Sequence, residues 1–211
     1  PHTTSRRVTN RVRVANRFHL PERLGLFTIL VMGESVIVVA VVNNIADQAF
    51  TWTTGAIATA SFLIIAGLWW MYFDHVERFA VGKKFRLFSY LYSHIPILLG
   101  IMFLAVGTKI GMLEKSYGVD PFWLATAGVG FVIVGYNALK LATGRTKGKL
   151  FAPSAVFIFC LVVGTLINSL PFVYAMYALV AVFFGYMLWE HKQCHIKKKL
   201  AAVLPTSEAS A

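Results

Sequence analysis

Charged residues are scarce in this sequence, and those present are concentrated in short segments. Only 14% of the 211 residues are Asp, Glu, Lys or Arg, whereas 57% are hydrophobic. A soluble domain typically has about a quarter charged residues. One globule of this length cannot hide so much apolar surface from water, so lipid is the expected solvent. The composition therefore excludes an ordinary soluble domain and predicts an integral membrane protein.

Cysteines and enzyme motifs are also lacking. The two cysteines, Cys160 and Cys194, are too few for a disulfide framework, and we expect no bridge between them. The sequence has no P-loop, no dinucleotide-binding glycine motif, no nucleophile elbow and no zinc-protease helix. His191 and His195 have helical metal-ligand spacing, but the surrounding lysines favour a solvated segment over a zinc site. We therefore expect neither a metal nor a cofactor.

Six long apolar runs are present instead. A helix rises about 1.5 Å per residue, so crossing a hydrocarbon core of about 30 Å takes about 20 apolar residues. A transmembrane barrel would show short stretches of alternating polarity, and the runs do not alternate. The sequence thus predicts an all-α bundle of six spans: Leu24–Val42, Trp52–Phe73, Phe88–Thr108, Pro121–Leu141, Phe151–Ile167 and Pro171–Trp189.

Basic residues set the expected orientation of this bundle. Of the 20 Lys and Arg residues, 18 fall in segments on one side of the six spans, and only Lys109 and Lys115 fall on the other. Because cytoplasmic segments carry an excess of Lys and Arg, both chain ends are predicted to be cytoplasmic, in a bacterial inner membrane. Basic segments between apolar runs favour anionic lipid headgroups as partners rather than nucleic acid.

The chain divides into three segments on this basis. Residues 1–20 are predicted to be a basic cytoplasmic leader or inter-helix loop, residues 21–190 the transmembrane domain, and residues 191–211 a tail that is basic and then disordered. Small residues that recur along one helix face predict close helix packing. They are Ala60 and Gly67 on the second span, Gly128 and Gly135 on the fourth, and Ala178, Ala181 and Gly185 on the sixth.

Glu34 and His94 are the ionisable residues deepest inside predicted spans. Glu34 stands ten residues into the first span and His94 six residues into the third, which corresponds to depths of about 15 Å and about 9 Å. Ionisable groups at such depths are expensive and tend to be functional. We expect Glu34 inside the bundle and within reach of His94, as a proton- or cation-binding pair. The alternative is that each forms an ordinary hydrogen bond that locks neighbouring helices together.

A second group of charged residues is predicted at the cytoplasmic ends of the first two spans. Glu22 and Arg23 open the first span, and Asp74 and Glu77 follow the second. Asp74 continues the small-residue face of its helix, so its carboxylate is expected to face protein. The group is either an interfacial salt-bridge network or the cytoplasmic mouth of a polar pathway.

Three motifs together resemble a known family. They are His19-Leu20-Pro21-Glu22-Arg23-Leu24-Gly25-Leu26-Phe27-Thr28-Ile29 followed by Gly33-Glu34-Ser35, then Leu68-Trp69-Trp70-Met71-Tyr72-Phe73-Asp74, and then Tyr92-Ser93-His94-Ile95-Pro96. In order and spacing, residues 19–108 resemble the bacterial low temperature requirement A (LtrA) family. The resemblance implies a polytopic inner-membrane protein, named for a cold-growth requirement. Family members are about twice as long, so the chain is expected to match their C-terminal portion and to lack an N-terminal half.

Three functions remain open at the level of the sequence. The first is transport or ion permeation through Glu34 and His94. The second is an enzyme acting on lipid or a lipid-linked substrate at the cytoplasmic face, using Glu22, Asp74 and Glu77. The third is a structural or sensory membrane protein without a substrate. A missing N-terminal half or a second copy of the chain are the expected protein partners.

Overall fold

The structure is a computed structural model that describes residues 22–41, 51–76, 84–113, 118–142 and 171–203, without the side chains at several helix ends. Within these ranges the chain forms helices and no strands. The five helices are α1 (Glu22–Val41), α2 (Trp52–Val76), α3 (Lys84–Leu113), α4 (Pro121–Ala142) and α5 (Phe172–Val203). All five are long and apolar enough to cross a membrane, which confirms the all-α membrane fold. The predicted span Phe151–Ile167 lies outside the described residues.

Two of the helices begin at caps that the sequence encodes. At the start of α2 the Thr51 hydroxyl oxygen accepts a hydrogen bond from the Thr54 amide at 3.2 Å. At the start of α4 Asp120 Oδ1 accepts one from the Phe122 amide at 2.9 Å, and Pro121 occupies the first helical position. Such caps satisfy amides that have no partner within the helix, and proline is favoured where its missing N–H is not needed. Both helices therefore begin where the apolar runs predicted.

The last helix runs well beyond its predicted end. The predicted span ended at Trp189 and was followed by a tail, residues 191–211, that was expected to be basic and then disordered, whereas α5 continues through the basic segment to Val203. Glycine and proline are absent between Gly185 and Pro205, and lysine and alanine favour helices. The apolar run thus marked the end of the membrane-spanning part, while the helix itself ends only near the next proline.

α3 and α4 form a closely packed antiparallel pair. A Cβ atom built on Gly128 would lie 2.7 Å from the Gly100 carbonyl oxygen and 2.6 Å from the Leu104 nitrogen. One built on Gly135 would lie 2.9 Å from the Ser93 carbonyl oxygen. Real Cβ atoms do not approach backbone so closely, so the two helices meet through their glycines. The predicted packing role of Gly128 and Gly135 is confirmed.

α2 packs against α5 through a second small-residue contact. Gly67 lies against the Phe183 ring, 2.8 Å from an added Cβ, and Ala60 is fully buried on the same face of α2. The predicted packed face of α5 is wrong, because Ala181 and Gly185 are exposed. α5 instead turns its larger side chains inward, and Phe183 belongs to the main core cluster. The face of α5 that packs in the bundle is therefore the one with the bulky residues rather than the one with the small residues.

The orientation of the bundle leads to a labelling prediction. In a background with Cys160→Ser and Cys194→Ser, a cysteine at Lys147 should resist a membrane-impermeant maleimide in intact cells, because that loop is basic and expected to be cytoplasmic. A cysteine at Val119, exposed in the turn between α3 and α4, should be labelled. Rapid labelling of Lys147→Cys together with protection of Val119→Cys would contradict this orientation and show that the bundle is inserted the other way round.

Candidate functional site

A buried imidazole joins α2 to α3 near one end of the bundle. His94 is 1% exposed, and its Nδ1 lies 2.7 Å from the Tyr90 carbonyl oxygen, one helical turn earlier. Its Nε2 lies 2.9 Å from the Tyr72 hydroxyl of α2. A carbonyl oxygen can only accept, so Nδ1 carries a proton. In the uncharged ring the Tyr72 O–H therefore donates to Nε2, and the geometry fixes which tautomer is present.

Two further residues with hydroxyl groups pack around this pair. Thr28, buried on α1, lies close to the Tyr72 side chain and donates its hydroxyl hydrogen to the Leu24 carbonyl oxygen at 2.8 Å. The Tyr90 ring lies with its centroid 4.8 Å from that of His94 and is fully buried. Its hydroxyl has no hydrogen-bond partner among the described residues. We refer to Thr28, Tyr72, Tyr90 and His94 as the histidine cluster.

The histidine cluster gathers several groups with exchangeable protons in an apolar setting. Buried polar groups are nearly always hydrogen-bonded, so the Tyr90 hydroxyl marks a place where a water or a polar ligand would find a partner. Histidine is the side chain whose charge changes most readily near neutral pH. Among the described side chains, no three of His, Cys, Asp or Glu are grouped to hold a metal ion. The chemistry that this arrangement supports is proton binding and release.

Glu34 is not part of the histidine cluster. Its side chain is exposed on the outer face of α1, so the prediction that it points into the bundle is wrong. The predicted pair with His94 does not form either, because both ring nitrogens of His94 bond to tyrosines. The neighbouring Ser35 is buried and donates to the Val31 carbonyl oxygen at 2.8 Å. One residue is about 100° of helix rotation, which separates the two faces.

The predicted group of charged residues is only partly described. Glu22 and Arg23 both lie exposed in the first turn of α1. The backbone of Asp74 belongs to α2, but its side chain lies outside the described residues, as does all of Glu77. A shared site among these four residues therefore stays a prediction.

Tyr72, Tyr90 and Thr28 were not predicted as site residues from the sequence. Tyr72 stands in an aromatic run at a span end, where tyrosine is typical of the membrane interface. A usable signal was the spacing of Tyr90 and His94, four positions apart and hence on one face of α3. Thr28 is one of many small hydroxyl residues, and only the packing of α1 distinguishes it.

A second buried polar group lies between α4 and α5. Lys140 is only 8% exposed, and its Nζ lies 5.0 Å from the centroid of the Tyr136 ring, a cation–π distance. The Asn137 amide donates to the Tyr186 hydroxyl at 3.1 Å. Lys140 is one of the 18 basic residues that the sequence assigns to the predicted cytoplasmic side. Its position in α4 places it at the same end of the α3–α4 pair as His94, since Gly135 faces Ser93.

A cavity of about 710 Å³ opens at the opposite end of the bundle. It lies where α2, α4 and α5 begin and α3 ends, with Thr53, Gly111, Asp120 and Phe172 in its lining. Thr108 donates to the Ser61 hydroxyl at 3.1 Å farther inside, so α2 and α3 are hydrogen-bonded there as well. The cavity and the histidine cluster thus lie at the two ends of the α2–α3 contact.

Comparison with known proteins identifies the family of this chain. The family model described as bacterial low temperature requirement A protein (LtrA) matches residues 1–188. The match covers most of the sequence, so the chain belongs to the LtrA family, as the three motifs indicated. No solved structure matches the chain.

A curated relative gives the scale of the longer proteins in this family. An uncharacterized protein of Rhizobium meliloti (strain 1021) is 27% identical over 197 residues, which cover 87% of this chain and 46% of that protein. The chain thus spans about half the length of the relative that it matches. Its five apolar helices and its family make it a multi-pass membrane protein.

Proposed function

We propose that this LtrA family member forms a proton-linked transport or permeation pathway in the bacterial inner membrane, with His94 as the group that takes up and releases the proton. The observation that carries the proposal is the buried imidazole, bonded at both nitrogens, which lies beside the ring of Tyr90, a buried tyrosine whose hydroxyl has no partner among the described residues. Glu34 faces away from His94 and takes no part in this step. The activity of the whole protein, including any part beyond this chain, belongs to the same proposal.

Proton binding reverses a hydrogen bond in this arrangement. In the uncharged state the Tyr72 O–H donates to Nε2, whereas in the imidazolium both nitrogens donate. The Tyr72 oxygen then accepts from Nε2–H, and its own proton is free to turn toward the nearby Thr28 hydroxyl oxygen, whose own hydrogen is donated to the Leu24 carbonyl. The Tyr90 carbonyl holds Nδ1–H in both states. A proton at His94 is therefore transmitted to α1 and α2 as a change of donor and acceptor.

A transport role for His94 is favoured over a purely structural role, because a second hydrogen bond already joins the same two helices. A lock between α2 and α3 is already present in the Thr108–Ser61 hydrogen bond, which uses no titratable group. Intramembrane histidines are expensive and typically mark ion or proton paths. The cavity at the far end of the same helix contact would be the extracytoplasmic vestibule of such a path.

The test measures proton flux into proteoliposomes that contain the full-length protein. A potassium gradient with valinomycin sets the potential, and a trapped pH-sensitive dye reports the flux. His94→Gln should abolish flux, because an amide does not bind a proton. The helix contact should be kept, since the Gln oxygen can still accept the hydrogen bond from Tyr72. Tyr72→Phe should lower the flux by removing the hydroxyl that reverses.

The matched control is Thr108→Val, which removes an α2–α3 hydrogen bond without touching a titratable group. It should keep wild-type flux. Normal flux in folded His94→Gln would show that no proton on His94 is needed. A loss in Thr108→Val equal to that in His94→Gln would show that the hydrogen bonds between α2 and α3 matter rather than the proton.

A further inference from the structure

The cavity at the end of the bundle opposite His94 is built by four helices of this chain. Its lining includes Ile57 from α2, Gly111 from the end of α3, Asp120 from just before α4 and Phe172 from the start of α5. The volume of about 710 Å³ lies within the range of pockets that bind small organic molecules, roughly 300–1,000 Å³. Because its walls come from this chain, the cavity needs no second protein to form it.

Apolar side chains form the deep wall of the cavity. Ile57 is only 2% exposed and belongs to a small hydrophobic cluster against which Phe172 and Val173 pack. The Phe172 ring lies directly against Gly111, where a side chain would displace it. An aromatic ring in a pocket wall attracts both the apolar part of a ligand and a cationic nitrogen, above all a quaternary ammonium group.

The polar part of the lining carries negative charge. Among the described residues that line the cavity, Asp120 is the charged one, and it is only partly exposed. Its Oδ1 accepts the hydrogen bond of the Phe122 amide, and a carboxylate can accept further donors at its second oxygen. The Thr53 hydroxyl belongs to the same lining, whereas Lys109, next to the lining residue Ile110, does not. A ligand here thus meets an apolar floor, an aromatic ring and one carboxylate.

The depth of the cavity suits a small molecule rather than a further helix. The lining reaches from the helix ends only as far as Ile57, five residues after Trp52 at the start of α2, which is a depth of about 8 Å. A transmembrane segment of the longer protein would need a groove of about 30 Å.

We propose that the cavity is a binding site for an amphipathic organic cation, a molecule with an ammonium group beside an aromatic or aliphatic part. The ammonium group contacts the Asp120 carboxylate and the Phe172 ring, and the apolar part packs against Ile57 and Val173. The carboxylate would repel an anion, and a neutral apolar molecule would desolvate it without a compensating contact. A cation bound here stands at the mouth of the pathway proposed above. That role rests on the proposed function, whereas the binding itself does not.

Isothermal titration calorimetry on detergent-purified full-length protein tests this site. The probes are benzyltrimethylammonium and benzenesulfonate, which carry a benzene ring and opposite charges. The wild type should bind the first and not the second. Asp120→Asn should weaken binding at least about tenfold, because it removes the charge, while asparagine still caps α4 and so keeps the fold. The matched control is Glu34→Gln, which removes a carboxyl group from the outer face of α1 and should keep wild-type affinity.

Three results would overturn the proposal. They are wild-type affinity in folded Asp120→Asn, equal binding of benzenesulfonate, and no binding to the full-length wild type. The last is the result expected if a segment of the longer protein fills the cavity.

His94→Gln separates this site from the proton pathway. It should bind the cation as the wild type does, since His94 stands 16 residues before Ile110 on α3, about 24 Å along the helix. A wild type that binds the cation but carries no proton flux would keep this site and refute the proposed function. Proton flux without cation binding would do the reverse.

Discussion

Gly128→Val should destabilise the protein by about 3 kcal/mol, the upper end of the usual range for overpacking. The added side chain would meet the Gly100 carbonyl oxygen and the Leu104 nitrogen, which are backbone atoms and cannot rotate away. Relief would require α3 and α4 to separate along the whole of their contact. For a chain of this length the loss corresponds to a decrease in Tm of about 6–12 °C, measured on detergent-purified protein.

Gly185→Val provides the matched control for this substitution. It introduces the same side chain on α5, where nothing lies within 4 Å of the added Cβ. Its effect should stay within about 0.5 kcal/mol, as for other exposed changes. Equal decreases in Tm for both variants would mean that helix propensity, not the glycine contact, sets the cost. A wild-type Tm for Gly128→Val would contradict the close packing of α3 and α4.

His94→Leu should lower stability by about 2–3 kcal/mol, because it leaves the Tyr72 hydroxyl without its imidazole partner in the bundle interior. Tyr72→Phe removes the other half of the same bond. The double variant should therefore lose less than the sum of the two single losses, by about 1 kcal/mol, a value within the range measured between membrane helices. Denaturation in SDS, followed by circular dichroism, measures all four proteins.

A pair of residues that do not touch provides the control for this double-mutant comparison. His94 and Thr108 are 14 residues apart on α3, about 21 Å along the helix. Losses from His94→Leu and Thr108→Val should add, since residues that far apart rarely couple. Additive losses for His94→Leu and Tyr72→Phe as well would contradict the hydrogen bond between those two side chains. This outcome is separate from the flux measurement, which concerns the proton alone.

The fold could be predicted from the sequence because its signal is local. Each span needs only enough consecutive apolar residues to cross the hydrocarbon, and every described helix contains one such run. The helix ends were less predictable. α3 begins at Lys84 and ends at Leu113, although the predicted span covered only Phe88–Thr108; the apolar part of the helix extends past Lys109 to the buried Met112 and Leu113.

The site was predictable only in part, because it depends on how each helix is rotated. His94 was found from its depth alone. Gly33, Glu34 and Ser35 form one motif, yet Ser35 is buried while Glu34 is exposed. Nothing in the motif states which of these neighbours faces the core. That choice is made by Met32 and Val36, whose packing against the other helices turns α1 about its axis.

Pro96 lies inside α3 only two residues after His94, where it removes a backbone hydrogen bond and leaves the Tyr92 carbonyl without its helical donor. A single helix would bend most readily at this point. Gly135 of α4, however, packs against both the Ser93 carbonyl and Ile97, on either side of Pro96, and this contact supports α3 against bending there. We therefore expect α3 and α4 to move as one rigid body. Any relative motion of the helices then takes place between this body and α2 or α5, and the hydrogen bonds that must break are Tyr72–His94 and Ser61–Thr108 to α2 and Asn137–Tyr186 to α5.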